Sequence, residues 1–201
     1  MVAGLSLGIA LAGAPGPVQA VLLAESVRGG IGRGFRALAG ASATFGLLLV
    51  GLALGVSLAP PEGIVLRILK VLGGALLIWL AVDALRSGYQ VNPADAERRS
   101  LPPSARGSLA VLFNPGAWLF LGAVASPLLA EASQGGGSAN ALLAAAALIL
   151  GAGLGDAAVV LLGGLGLRRA GDRTVVWVGR FLALVLAGLG VWLLTQGVVP
   201  S

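Results

Sequence analysis

The chain has 201 residues, of which 57% are hydrophobic and only 10% charged, where a soluble globular domain carries about a quarter charged residues. With a mean hydropathy of +0.97 it reads as a membrane chain, with room for roughly six spans of about 20 residues and little else. Cysteine and histidine are both absent, which excludes thiol redox chemistry, disulfides, soft-metal ligation and an imidazole proton relay. No cofactor or metal is expected.

The first apolar run, 2–27, has no basic residue before Arg28, so it lacks the basic start of a cleaved signal peptide and is kept as a span. It is interrupted at Ala14-Pro15-Gly16-Pro17. In hydrocarbon every backbone N–H and C=O needs a partner within the protein, so an unwound helix is expected only where it is buried or lines a cavity. Pro15 lies thirteen residues before Arg28, or about 20 Å at 1.5 Å per residue, which puts the break near mid-membrane. Gln19 lies one turn past Pro15 and shares its face.

The second run, 37–59, carries Ser42 and Thr44, read as hydroxyls bonded to their own helix. It also carries Gly51-x-x-x-Gly55, a small-residue pattern that permits close helix packing. In the third run, 64–85, Arg67 and Lys70 are expected to snorkel, with Lys70 deep enough to neutralise an acidic group. Glu25 with Arg28, and Asp83 with Arg86, are each three apart and read as interfacial salt pairs. Residues 88–105, rich in Pro, Ser and charge, read as a flexible cytoplasmic linker between a first half, 1–87, and a second half, 106–201.

The fourth run, 108–130, is interrupted in turn at Phe113-Asn114-Pro115-Gly116, nine residues after Arg106 and so about 14 Å along a helix. The Asn114 amide serves equally well to hold a substrate or to satisfy freed backbone groups. Trp118 lies one turn from Pro115. The fifth run, 139–167, contains Gly151-x-x-x-Gly155 and, twelve residues before Arg168, the acid Asp156. A carboxylate at the membrane centre costs about 2.5–3.5 kcal/mol on insertion scales and usually faces a cavity, a partner or a transport path. Asp156 is therefore expected to bind or couple, the bland alternative being a hydrogen-bond partner for the broken backbone. The sixth run is 175–198.

All thirteen basic residues except Arg67 and Lys70 fall in or beside the first, third and fifth connections. Positively charged short loops stay in the cytoplasm, so both termini are expected outside. The high pI, near 11.3, reflects this placement, and no nucleic-acid partner is expected. Three spans per half is an odd number, so related halves must be inverted in the membrane. The expected fold is an all-α membrane protein of six transmembrane helices in two inverted three-helix repeats, the first and fourth broken at Pro-Gly. Such repeats place a solute site near the midplane. The expected substrate-binding or coupling residues are Pro15, Gly16, Pro17, Gln19, Asn114, Pro115, Gly116, Trp118 and Asp156.

The combination of Ala14-Pro15-Gly16-Pro17, Gly30 followed by Gly40, the stretch from Leu69-Lys70-Val71-Leu72-Gly73-Gly74 to Trp79-Leu80, and Phe113-Asn114-Pro115 resembles the LysE/RhtB family over nearly the whole chain. The resemblance implies a bacterial inner-membrane exporter of amino acids or related small metabolites, with the bilayer and a small-molecule substrate as partners and assembly as a homodimer. Relatives often have Asn-Pro-Lys where this chain has Asn114-Pro115-Gly116, which puts the usual substrate chemistry in doubt. A proton or cation gradient is the expected driving force. Two alternatives stand beside export of amino acids. Export of an inorganic cation is disfavoured by the lack of His and Cys and of further intramembrane carboxylates, and a non-transporting scaffold would tolerate Asp156→Asn. No catalytic pair occurs at membrane depth, so the chain is not expected to be an enzyme.

Overall fold

The computed structural model describes residues 2–13, 16–55, 63–86, 101–166 and 172–198. Pro15, most of the expected linker (88–100), the loop around Pro60 and Pro61, and Arg168 and Arg169 lie outside the described residues. Among those described, all regular structure is helical. The chain runs through α1 (Val2–Gly13), α2 (Pro17–Ala53), α3 (Gly63–Arg86), α4 (Pro103–Leu112), α5 (Pro115–Phe120), α6 (Ser126–Leu161) and α7 (Asp172–Val198), with π-helical turns at Leu121–Ala125 and Leu162–Gly166.

Three stretches are long and apolar enough to cross a bilayer: Pro17–Ala53, Gly63–Val82 and Pro115–Leu165. Val2–Gly13 and Ala183–Val198 are apolar but shorter. The first and third stretches, at 37 and 51 residues, far exceed the roughly 20 residues that a span requires. Each contains a glycine in the left-handed region, Gly30 at φ 76° and Gly137 at φ 69°, where a Cβ is disfavoured. At Gly30 the chain doubles back. Residues eight apart in a straight helix are separated by about 12 Å, yet a Cβ on Gly34 would collide with the Ser26 hydroxyl, and Arg33 donates to Glu25. Residues 17–29 and 31–53 are therefore two helical segments folded against one another.

Side-chain placement follows a lipid solvent. Leu47, Leu54, Leu150, Leu154, Phe181 and Leu184 are all exposed, an arrangement that water would penalise and hydrocarbon does not. Inside, Leu22, Leu49, Leu77, Leu121 and Leu148 form a fully buried core. Because lipid tails are as apolar as leucine, helices in a membrane gain most by close backbone approach at small residues. Three seams show this.

The first seam joins α1 to α6. Gly4, Gly8 and Ala12 recur every fourth residue and form the buried stripe of α1. A Cβ on Gly8 would strike the Leu148 carbonyl, one on Gly151 the Leu5 carbonyl, and one on Gly155 the Ala12 Cβ at 2.5 Å. The second seam joins α2 to α4, where a Cβ on Gly40 would strike the Ser104 carbonyl and one on Gly107 the Ala37 carbonyl. Ser108 Oγ also donates to the Gly40 carbonyl at 3.1 Å. The third joins α3 to α7, where a Cβ on Gly74 would lie 2.6 Å from the Gly190 carbonyl oxygen and one on Gly190 2.8 Å from that of Gly74. Gly51 and Gly55, expected to pack in the same manner, would bring a Cβ within 4 Å of no other described residue, and Gly55 lies beyond the end of α2.

Candidate functional site

Helix α1 ends at Gly13 and α2 begins at Pro17. Proline suits a first helical turn because its missing N–H has no intrahelical acceptor there in any case. Gly16, in an extended conformation (φ −162°, ψ −176°), is the N-cap, and its carbonyl accepts from Ala20 N at 3.0 Å. No side chain caps α2, so its first-turn N–H groups have no partner within the helix.

The second interruption is built differently. α4 ends at Leu112 and α5 starts at Pro115, and the residue between them that makes the cap is Asn114. Its Oδ1 accepts from Gly116 N at 3.0 Å, and its carbonyl accepts from Ala117 N at 3.0 Å and Trp118 N at 3.3 Å. Trp118 Nε1 reaches back and donates to the Leu112 carbonyl at 2.7 Å, satisfying an acceptor at the frayed end of α4. Asn114 thus uses its side-chain oxygen on the backbone, and its amide NH2 donates to no described residue. A Cβ on Gly73 of α3 would strike the Phe113 carbonyl, so α3 lies directly against this interruption.

Both interruptions border one cavity of about 510 Å³, within the ordinary range for a small-molecule site. Gly16, Pro17, Gln19, Asn114, Pro115, Gly116 and Asp156 all line it. Trp118 is not among the lining residues, and its indole N–H is committed to the backbone. Asp156 is buried, and Gln19 Nε2 donates to its Oδ1 at 3.1 Å, joining α2 to α6. Most of the remaining wall is apolar, from Phe45, Val111, Ile149, Leu189 and Leu193.

Three polar wall residues, Ser42, Lys70 and Gln196, were absent from the expected site. Lys70 is the informative one. Depth along the sequence suggested snorkelling, but the face a helical residue presents depends on its neighbours, and α3 turns Lys70 toward the cavity.

A second, much smaller cavity lies beside a buried charge cluster and is bordered by Val21, Glu25, Arg28, Leu80, Arg106 and Leu186. Glu25, expected at the membrane surface beside Arg28, is buried, and its contacts extend to residues much further along the chain. Arg33 Nε meets its Oε2 at 2.5 Å and Arg106 Nη1 its Oε1 at 3.2 Å. Arg106 is 1% exposed. Its Nε donates to the Leu101 carbonyl at 3.0 Å, and its guanidinium lies over the Trp79 ring at 5.6 Å, a favourable arrangement for a desolvated cation. An i, i+3 rule could not find these partners, which lie eight and 81 positions away.

The family model described as LysE type translocator matches residues 9–197. No curated protein and no solved structure matched the chain.

Proposed function

The chain belongs to the LysE type translocator family, and from that premise we propose that it exports amino acids or related small metabolites across the bacterial inner membrane, driven by a proton or cation gradient. The observation that carries this reading is the single cavity in which Gly16, Pro17 and Gln19 of the first half meet Asn114, Pro115, Gly116 and Asp156 of the second. A mostly apolar chamber with a few convergent polar groups and one buried carboxyl suits a small amphiphilic solute. Asp156 is the coupling residue in this reading, and Gln19 positions it.

Inverted repeats are supported by the pairing of the helices. Inversion exchanges the first span with the fourth, the second with the fifth and the third with the sixth. The α1–α6 seam, first with fifth, then exchanges with the α2–α4 seam, second with fourth, and the α3–α7 seam, third with sixth, maps onto itself. Each half also has an interruption followed by a positive-φ glycine, Gly30 and Gly137. In this arrangement the breaks at Gly16-Pro17 and at Asn114 to Gly116 are equivalent and lie at the midplane, where repeats of this kind bind solute. Both termini face outward, and the protein works as a homodimer.

The test is efflux from loaded cells or inverted vesicles against a panel of labelled amino acids. Asp156→Asn is expected to lower the rate at least tenfold and to flatten its dependence on the pH gradient. If the wild-type protein moves no member of the panel, the reading is overturned.

A further inference from the structure

Lys70 has no part in the transport reading above, yet its setting calls for a partner. It is half-buried in α3, lines the same cavity as Asp156, and makes no hydrogen bond or ion pair with any described residue. Lysines at membrane depth either extend to the interface or find a counter-charge. Among the described residues lining this cavity, Lys70 is the one base and Asp156 the one acid.

These opposite charges share a chamber without touching. Lys70 belongs to α3, which packs on α7, whereas Asp156 belongs to α6, which packs on α1 and α2. They therefore stand on different walls and do not come within ion-pair reach. Asp156 has one oxygen engaged by Gln19, and its other oxygen bonds to no described residue. Attraction between unit charges is strong where water is sparse. Two complementary charges held apart by the scaffold form a socket for a molecule that carries both.

We propose that Lys70 is a specificity-determining residue. It binds the substrate carboxylate while Asp156 receives the ammonium, so the cavity takes a zwitterionic amino acid whose side chain is uncharged and apolar. The side chain lies against Phe45, Ile149, Leu189 and Leu193. A dibasic amino acid would bring a second positive charge into a wall that offers no second acid. This inference rests on the export reading but can fail separately from it.

The experiment uses the full chain in proteoliposomes, with leucine, lysine and leucinamide as probes, the last being leucine with its carboxylate neutralised. The wild-type protein is expected to take leucine with a KM at least tenfold below those of lysine and leucinamide. Lys70→Gln is expected to raise the leucine KM at least tenfold while leaving leucinamide unchanged, so the preference collapses. Lys70→Arg should restore most of the preference, and Arg67→Gln, an exposed neighbour in α3, should leave it intact. Should Lys70→Gln prove unstable, loss of the thermal shift that leucine gives the wild-type protein is read on Lys70→Arg and Lys70→Met instead, the first retaining the shift and the second losing it. Leucine transport with an unchanged leucine-to-leucinamide ratio in Lys70→Gln, or a wild-type preference for lysine, overturns the role of Lys70 and leaves the export reading standing. Transport of no amino acid by the wild type overturns both.

Discussion

Arg33, from the same helix, and Arg106, from α4, hold the Glu25 carboxylate inside the protein. Removing one partner from a buried ion pair strands the other charge and typically costs about 3–5 kcal/mol. Glu25→Gln keeps the shape but takes the Glu25 negative charge away from Arg33 and Arg106. It is expected to lower the thermal midpoint in detergent by far more than Arg67→Gln, whose side chain is exposed; equal midpoints for the two variants would contradict this account. The same comparison shows what residue-level reading can and cannot see. Asp156, Gln19, Gly16, Pro17, Asn114, Pro115 and Gly116 were legible as a set because polar or helix-breaking residues in hydrocarbon are costly, so their presence alone carries information. The role of Trp118 was not legible, since one turn from Pro115 fits either a ligand cage or a clamp on Leu112. The environment of Glu25 was legible only in part for a related reason. Its Arg106 partner stands on α4, 81 positions away, and sequence neighbours suggested a nearer answer.

Apolar runs and basic connections delimited the helices well, because the hydrophobic thickness of a bilayer sets a length that composition reveals directly. The reversal at Gly30 and the short α4 were harder to see, since one positive-φ glycine leaves almost no mark on hydropathy. Glycine patterns proved ambiguous in the same way. Gly51-x-x-x-Gly55 and Gly151-x-x-x-Gly155 look alike as strings, yet among the described residues only the second meets another helix. Substitution should separate them. Gly151→Ala places a methyl on the Leu5 carbonyl and is expected to cost about 1–3 kcal/mol through forced backbone movement. Gly51→Ala meets open space inside a helix and is expected to be neutral or to stabilise by up to about 1 kcal/mol through helix propensity. Paired thermal melts in one detergent decide the matter, and a destabilised Gly51→Ala would argue that this face is covered by another chain.

At the scale of the whole molecule, each seam ties a helix of the first half to one of the second, so neither half has a complete set of partners by itself. The proposed orientation can be read with unusual simplicity, because the chain contains no cysteine and any introduced thiol is unique. Ser138→Cys, at an exposed position near Gly137, is expected to react with a membrane-impermeant maleimide in intact spheroplasts. Gly32→Cys, exposed beside the Gly30 reversal, should react only in inverted vesicles. The reverse labelling pattern would turn the molecule over in the membrane and move the basic connections outside.

The α1–α6 seam bears on the site in one further respect. Gly155, whose Cβ would meet Ala12, is the residue immediately before Asp156, and α1 leads within a few residues to Gly16 and Gln19. At Gly8, Gly151 and Gly155 the seam meets only backbone and the Ala12 methyl, groups with no rotamers to shift and little slack to absorb. It therefore acts as a gauge block: where α1 crosses α6, one residue from Asp156, the spacing of the two helices is set by the thickness of glycine.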